Sequence, residues 1–171
     1  DPGDGTTHFS VVDKWGNVVC YTTTIEATWG TGITVPGYGF LLNNELTDFN
    51  FTPTADPATG NPGANDVAPG KRPRSSMAPA IVFRGREPVA AYGSPGGATI
   101  INSVFNVTLN LIDHKMNLQD AINARRLSVT SAGVGVTVEG TYPVATADAL
   151  RALGYTLSIA DIGSVQAVLL D

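Results

Sequence analysis

Apolar and polar residues alternate through HFSVVD at His8–Asp13, and again through VVCYTTTI at Val18–Ile25. Between them lies Asp13-Lys14-Trp15-Gly16-Asn17, a polar, glycine-bearing turn, so the period of two predicts an antiparallel β-hairpin. TWGTGITVPGYG, broken by glycines and Pro36, reads as a loop, and the GFLLNN after it as a short strand. From Thr47 to Pro73 the chain is rich in Pro, Gly, Asn, Asp and Thr; a loop of that length is commonly functional. Alternation resumes in APAIVFRGREPVAAYGS, a second hairpin turning at Gly85.

The period then changes. In ATIINSVFNVTLNLI the residues Ile101, Val104, Phe105, Thr108, Leu111 and Ile112 fall on one helical face. NLQDAINARR starts a second helix, with Asn117 as N-cap and Asp120 three residues on. A third, PVATADALRALG, has Val144, Ala147, Leu150 and Leu153 on one side and Gly154 placed to end it. SVQAVLL is a final strand. Strands come mainly before helices, which favours a layered α+β architecture over a parallel βαβ fold. No internal repeat is visible.

The 171 residues suit one domain, and 43% hydrophobic with 15% charged residues is a globular composition, able to bury a core. A net charge of −5 argues against a nucleic-acid partner, the one basic run being Lys71 to Arg74. The single Cys20 excludes an internal disulfide framework and a multi-thiolate metal site, and in VVCYTTT it reads as a buried, inert thiol. His8 and His114 lie too far apart in sequence to suggest a zinc site. No apolar run is long enough to span a bilayer, and no signal peptide is visible.

Four short strings carry candidate chemistry. GSPGGATII joins a strand to a helix start through Gly96 and Gly97, where backbone N–H groups could stabilise an oxyanion or hold a phosphate. The Gly-Lys-Ser/Thr ending of a nucleotide-binding loop is missing, and a tight turn needing positive φ is the competing explanation. RPRSSMAP sets the hydroxyls of Ser75 and Ser76 beside Arg72 and Arg74, a set able to bind a carboxylate or simply to be a solvated loop. NNELTD places Glu45 and Asp48 three apart, able to hold an ammonium group or merely to face water. The fourth is Thr6, where a Pro/Gly/Asp-rich run meets the first strand. A threonine hydroxyl needs a base, and its own α-amine can be that base once the preceding bond is cut. Gly5 permits the strained backbone that would favour attack of Oγ on the preceding carbonyl. Thr22, Thr23 and Thr24 would lie across the hairpin, where an ordinary threonine ladder is the commoner explanation. No Ser/His/Asp triad commends itself: His8 reads as a satisfied or surface strand residue, His114 as a helix C-terminal one.

Together TTHFSVVD, TTTIEATWGTGI, GFLLNNELTDF, GKRPRSSMAPAIV, GSPGGATII, NLQDAINARR and IGSVQAVLLD resemble, in order and over nearly the whole chain, one family. It is the small, C-terminal subunit of the γ-glutamyltransferases (γ-glutamyltranspeptidases), which are N-terminal-nucleophile hydrolases. The resemblance implies the small-subunit portion of an αββα sandwich, layered antiparallel sheets flanked by helices, over residues 6–171. Residues 1–5 would be the end of the large subunit. A precursor would cut itself between Gly5 and Thr6, making Thr6 the nucleophile and its freed amine the base. Thr24 matches the threonine that supports the nucleophile, and Gly96 and Gly97 match the oxyanion-hole glycines. Ser75 and Ser76 match the pair that binds the substrate α-carboxylate; Glu26, Glu45 and Asp48 match positions around its α-amino group. Glu26 stands where many members have Asn, and Glu45 where some have Gln; an extra carboxylate is compatible with an ammonium.

The implied activity is transfer or hydrolysis of the γ-glutamyl group of glutathione or a related γ-glutamyl amide. The group would pass through an ester on Thr6 to water, an amino acid or a peptide, with no metal or organic cofactor. The implied partner is the large subunit, which would supply an arginine to the α-carboxylate; no nucleic acid or membrane contact is expected of this segment. A periplasmic or extracellular location in a bacterium is expected from the family. Asn50 to Val67 stands where some members have a lid over the glutamyl pocket. Members run on after the QAVLLD-like strand, so the C-terminal end is expected to be truncated. With Asp1 to Gly5 attached and the large subunit missing, little or no transferase activity is expected of this chain alone. Related acylases acting on a glutaryl-cephalosporin or poly-γ-glutamate are the alternative within the fold. A non-catalytic binding module with a Thr-rich face is the alternative outside it.

Overall fold

The first two alternating segments pair as expected: β1 (Thr6–Val12) and β2 (Val18–Thr24) run antiparallel, Thr6 opposite Thr24 and His8 opposite Thr22. The computed structural model describes residues 5–56, 58–59, 63–130, 133 and 135–170. Asp13 fixes the hairpin turn, its Oδ1 accepting from the N–H of Trp15 and of Asn17, both at 2.9 Å. The alternation has an unusual polarity. Phe9, Val11, Val19 and Tyr21 point outward and are exposed, while His8, Ser10, Cys20 and Thr22 take the inward face.

The second hairpin joins β3 (Ala80–Arg84) to β4 (Glu87–Gly93) through Gly85, whose φ of 66° suits a glycine turn. The last strand, β8 (Gln166–Leu169), pairs antiparallel with the free edge of β4, giving the order β3-β4-β8. Ala90 to Gly93 are buried because β4 is covered on both faces. On one face sits the first hairpin: Cys20 Sγ lies 3.3 Å from the carbonyl oxygens of Ala80 and of Tyr92. The His8 ring lies on Gly93, where a Cβ would stand 2.3 Å from Nδ1. On the other face α1 (Ile100–Ile112) packs through Ile100, Val104 and Val107 onto Ala90 and Tyr92. The Tyr92 hydroxyl finds Thr108 Oγ1 at 2.6 Å, which satisfies a buried polar tip. Next comes α2 (Leu118–Asn123), capped by Asn117, whose Oδ1 accepts from Asp120 N–H at 2.9 Å. The chain thus stacks hairpin, sheet and helices in three layers.

Three expectations need correction, and one small sheet was not foreseen. The buried face of α1 is Ile100, Ser103, Val104 and Val107, whereas Ile101, Phe105 and Ile112 are 54%, 57% and 43% exposed. The helix is apolar almost all round, so its periodicity alone does not choose a face. In α3 (Val144–Ala152) Ala147 is buried, but Val144 and Leu153 are exposed. GFLLNN forms only an isolated bridge, Leu41 to Thr34, because glycines on either side interrupt the ladder. The unforeseen sheet is formed by β5 (Leu127–Ser128), β6 (Gly135–Val138) and β7 (Thr156–Ile159). There β6 and β7 pair in parallel through α3, a local βαβ unit inside an otherwise antiparallel architecture. Among the described residues, no helix is long and apolar enough to cross a membrane.

The long loop is organised around Asp66. Its carboxylate accepts from Asn50 Nδ2 at 2.9 Å, Thr54 Oγ1 at 3.0 Å, and the N–H groups of Thr54 and Gly63 at 2.9 Å. These donors favour the charged form and hold the Asp66 pKa down to about 2.

Candidate active site

Thr6 starts β1, and the antiparallel register sets it directly opposite Thr24 at the end of β2. The two hydroxyl oxygens are 2.9 Å apart. Thr24 Oγ1 also donates to the Gly5 carbonyl at 3.1 Å and accepts the Glu26 N–H at 2.8 Å. A threonine hydroxyl has one proton. With that proton directed to Gly5, Thr24 accepts from Thr6. The Gly5 carbonyl receives a second donor, the Ile25 N–H at 2.9 Å, so two hydrogen bonds polarise the bond before Thr6. Gly5 is needed here, since a Cβ would stand 2.2 Å from the Glu26 carbonyl oxygen.

Thr6 opens into a cavity of about 640 Å³. Of the residues expected at a site, Thr6, Thr24, Glu26, Glu45, Asp48, Ser75, Ser76 and Gly97 line it together. Gly96 does not; it is buried just behind Gly97. The turn has φ of 140° at Gly96 and 54° at Gly97, a positive-φ pair that favours glycine. It passes through a 3-10 turn at Gly97–Thr99 directly into α1. The cavity therefore lies beside a helix N-terminus, where negative charge is favoured.

The other end of the cavity is acidic. Glu45 and Asp48 share one 3-10 turn, Glu45–Asp48, and Glu26 faces them. Burial, then the charges of Asp48 and Glu26, push the Glu45 pKa up. Burial and the Glu26 charge push Asp48 up likewise, with Arg74 opposing. Three carboxylates crowded in this way are relieved by a cation. Glu26 has a φ of 72°, rare for a residue with a long side chain, and its carboxylate accepts from Asn44 Nδ2. Asn44 also holds the chain beyond Glu26, its Oδ1 accepting the Ala27 N–H at 2.9 Å. Ser75 lies on a local turn, its Oγ accepting the Met77 N–H at 3.3 Å.

Sequence reasoning passed over Asn44, although it stands inside the NNELTD string, because its partner Glu26 is eighteen positions away. It also passed over Ile101, Asn102, Val129 and Thr130, which line the remaining wall. The segment from Asn50 to Val67, expected to be a lid, contributes no described residue to the lining; it folds on Asp66 instead. His8 stands apart from the cavity as a satisfied core histidine, with Thr22 Oγ1 at 2.7 Å from Nδ1 and Ser10 Oγ at 3.2 Å from Nε2. Burial lowers its pKa. His114 is exposed just past α1.

A family model described as gamma-glutamyltranspeptidase matches residues 1–171. The chain is 48% identical over 168 residues to the glutathione hydrolase proenzyme of Bacillus subtilis subsp. natto, covering 97% of this chain and 27% of that protein. It is 40% identical over 150 residues to the acylase ACY 1 proenzyme of Pseudomonas sp. (strain SE83), covering 88% of this chain and 25% of that protein. Among solved structures, a mutant gamma-glutamyltranspeptidase of Helicobacter pylori superposes with a TM-score of 0.85 at 38% identity. That match covers 95% of this chain and 90% of the other. The chain thus spans about a quarter of the length of these curated relatives.

Proposed function

Because the chain belongs to the gamma-glutamyltranspeptidase family, with the fold of N-terminal-nucleophile hydrolases, we propose that it is the small-subunit part of a γ-glutamyl-transferring enzyme. Its substrates would be glutathione and related γ-glutamyl amides. The observation that carries this reading is the Thr6–Thr24 hydroxyl pair beside a Gly5 carbonyl held by two donors.

In the first step Thr6 Oγ attacks the Gly5 carbonyl carbon. The Thr24 hydroxyl and the Ile25 N–H are placed to hold the negative charge that develops on the Gly5 oxygen. The Gly5–Thr6 C–N bond breaks, the Thr6 nitrogen takes the proton, and water hydrolyses the ester to a Gly5 carboxylate. Departure of that carbonyl changes the hydrogen bonding at Thr24. Its proton is released to point at Thr6 Oγ, and the Thr6 proton is then free to pass to the new α-amine.

Acyl transfer follows in the same cavity. The acidic end, Asp48 with Glu45 and Glu26, takes the donor α-ammonium, and the hydroxyls of Ser75 and Ser76 take its α-carboxylate. Thr6 Oγ adds to the γ-carbonyl, whose oxygen is held by the N–H groups of the Gly96–Gly97 turn. The amine leaves with the proton, and water or an acceptor amine resolves the γ-glutamyl ester. The partner in this reading is the rest of a longer precursor, of which residues 1–5 would be the last of the large subunit.

Intact-mass measurement on the full-length precursor tests the reading. A new N-terminus at Thr6, lost in Thr6→Ala, is the expected result, and a chain that stays uncut overturns it. An acylase is among the similar proteins, and glutaryl amides, the alternative that the sequence resemblance implies, form a second class. A glutaryl group has no α-ammonium and would leave Glu26, Glu45 and Asp48 without a counter-charge. The cleaved enzyme is therefore expected to show a higher kcat/KM for a γ-glutamyl anilide than for the matching glutaryl anilide.

A further inference from the structure

Several buried polar groups outside the cavity converge on one short segment, Ile162-Gly163-Ser164. Ile162 is fully buried, and its carbonyl accepts from Ser103 Oγ at 2.6 Å and Thr99 Oγ1 at 2.9 Å. The Gly163 carbonyl accepts from Arg126 Nη2 at 2.9 Å, and Arg126 is itself paired with Glu139 at 2.5 Å. The Ser164 N–H donates to Ser94 Oγ at 3.1 Å. Ser94, Ser103, Arg126 and Glu139 are all buried. Burying such groups is costly, and a buried ion pair is poor evidence for stability by itself; fixing a geometry is a better account of it.

The geometry they fix is that of the Gly96–Gly97 turn. Gly163, at φ 115°, lies so close beneath the turn that a Cβ would stand 2.4 Å from the Pro95 carbonyl oxygen. A Cβ on Gly96 would stand 3.3 Å from the Ile162 carbonyl oxygen. Thr99 joins the two: its hydroxyl lies 2.8 Å from the Gly96 carbonyl and 2.9 Å from that of Ile162, so one proton is shared between turn and segment. We infer that Ile162–Ser164 is a strap that holds the Gly96–Gly97 turn in its reactive geometry, with Thr99 as the positioning residue between them. This rests on the reading of that turn as an oxyanion hole. Donors aimed at a developing charge work only when they are held in place beforehand, and a turn with two left-handed residues needs support on its far side. The strap supplies that support, and Arg126 and Ser103 anchor the strap.

The test uses the full-length, self-cleaved protein carrying Thr99→Val, near-isosteric and without the shared proton, and Thr99→Ser, which keeps it. In Thr99→Val kcat is expected to fall about tenfold or more while the donor KM stays within about twofold, since Thr99 is not among the residues lining the cavity. Affinity for a glutamate-like boronic acid, whose tetrahedral adduct on Thr6 puts an oxygen in the hole, is expected to fall in parallel. Thr99→Ser is expected to recover both. Gly163→Ala should give the same split, and thermal midpoints show whether either variant is simply poorly folded. Wild-type kcat in Thr99→Val overturns the inference, as does a loss of kcat with unchanged boronate affinity. A wild-type protein that neither cleaves itself nor turns over a γ-glutamyl anilide overturns the functional reading, and the inference with it. An active wild type beside an equally active Thr99→Val overturns the inference alone.

Discussion

Single residues decide whether the cavity can hold a zwitterion. Glu45 and Asp48 both have raised pKa values, chiefly from burial and then from neighbouring carboxylates. The folded chain therefore keeps their protons to higher pH than an unfolded one, and as pH rises their ionisation works against the fold. A bound ammonium reverses this, so donor affinity is expected to strengthen as pH rises through the raised values. In kcat/KM profiles the acid limb should begin above the ordinary carboxylate range of about 4. Glu26→Gln, which removes a charge that raises both, should move that limb to lower pH; an unmoved limb would show that these groups do not control binding. Thr24 is tested by time courses of Thr6 N-terminus formation. Thr24→Val loses a donor to the Gly5 carbonyl, so cleavage is expected to slow by about a hundredfold, and Thr24→Ser to restore it. That Thr6, Ser75, Ser76, Glu45 and Asp48 line one cavity was legible from the family resemblance, since each short string taken alone left a solvated or structural alternative open. Asn44 and Thr99 were not, since each acquires its role from a partner that only the fold brings near.

Among the elements, the two hairpins, α2 with its Asn117 cap and the final strand were readable because turn chemistry and a period of two act within a few residues. The buried face of α1 was not. Nearly every turn of that helix offers apolar side chains on both sides, and contact with Tyr92 and Ala90 makes the choice. The third sheet escaped as well, because β5 is two residues long and β6 four. The loop around Asp66 shows the same dependence on distant partners: Asn50, Thr54 and Gly63 give it a structure that its Pro/Gly composition hides. With its pKa held near 2, Asp66 stabilises this loop fully above the ordinary value near 3.8, and the effect is lost as pH falls through 2. Asp66→Asn puts an amide among donors that require an acceptor. At neutral pH it should speed amide exchange at Thr54 and Gly63 and proteolysis within the loop, leaving the donor KM unchanged. A raised KM would mean that the loop does cover the cavity.

At the scale of the whole molecule, the layers account for the inverted polarity of the first hairpin. The αββα sandwich of this family has two sheets between two helical layers, and this chain stacks hairpin, sheet and helices. A helical layer completing such a sandwich would lie over the outer face of the hairpin, where Phe9, Tyr21, Val11 and Val19 stand in two directly opposed pairs. Alternation along β1 and β2 announced a strand with two different faces, but not which face is dry. The inward His8, Ser10, Cys20 and Thr22 bond to one another and to β4, so the exposed side of the hairpin is the apolar one. If the rest of the precursor supplies that layer, Val19→Lys separates the two roles of the surface. Val19 is 52% exposed, so a lysine there stays solvated and the chain alone should keep its circular dichroism and thermal midpoint. Against the partner, loss of the valine costs about 2 kcal/mol and an unpaired buried ammonium considerably more. Co-expressed fragments should then fail to co-purify, while Val144→Lys, on an exposed position of α3, should leave assembly intact. Equal recovery of complex from Val19→Lys and wild type would show that this face takes no part in assembly.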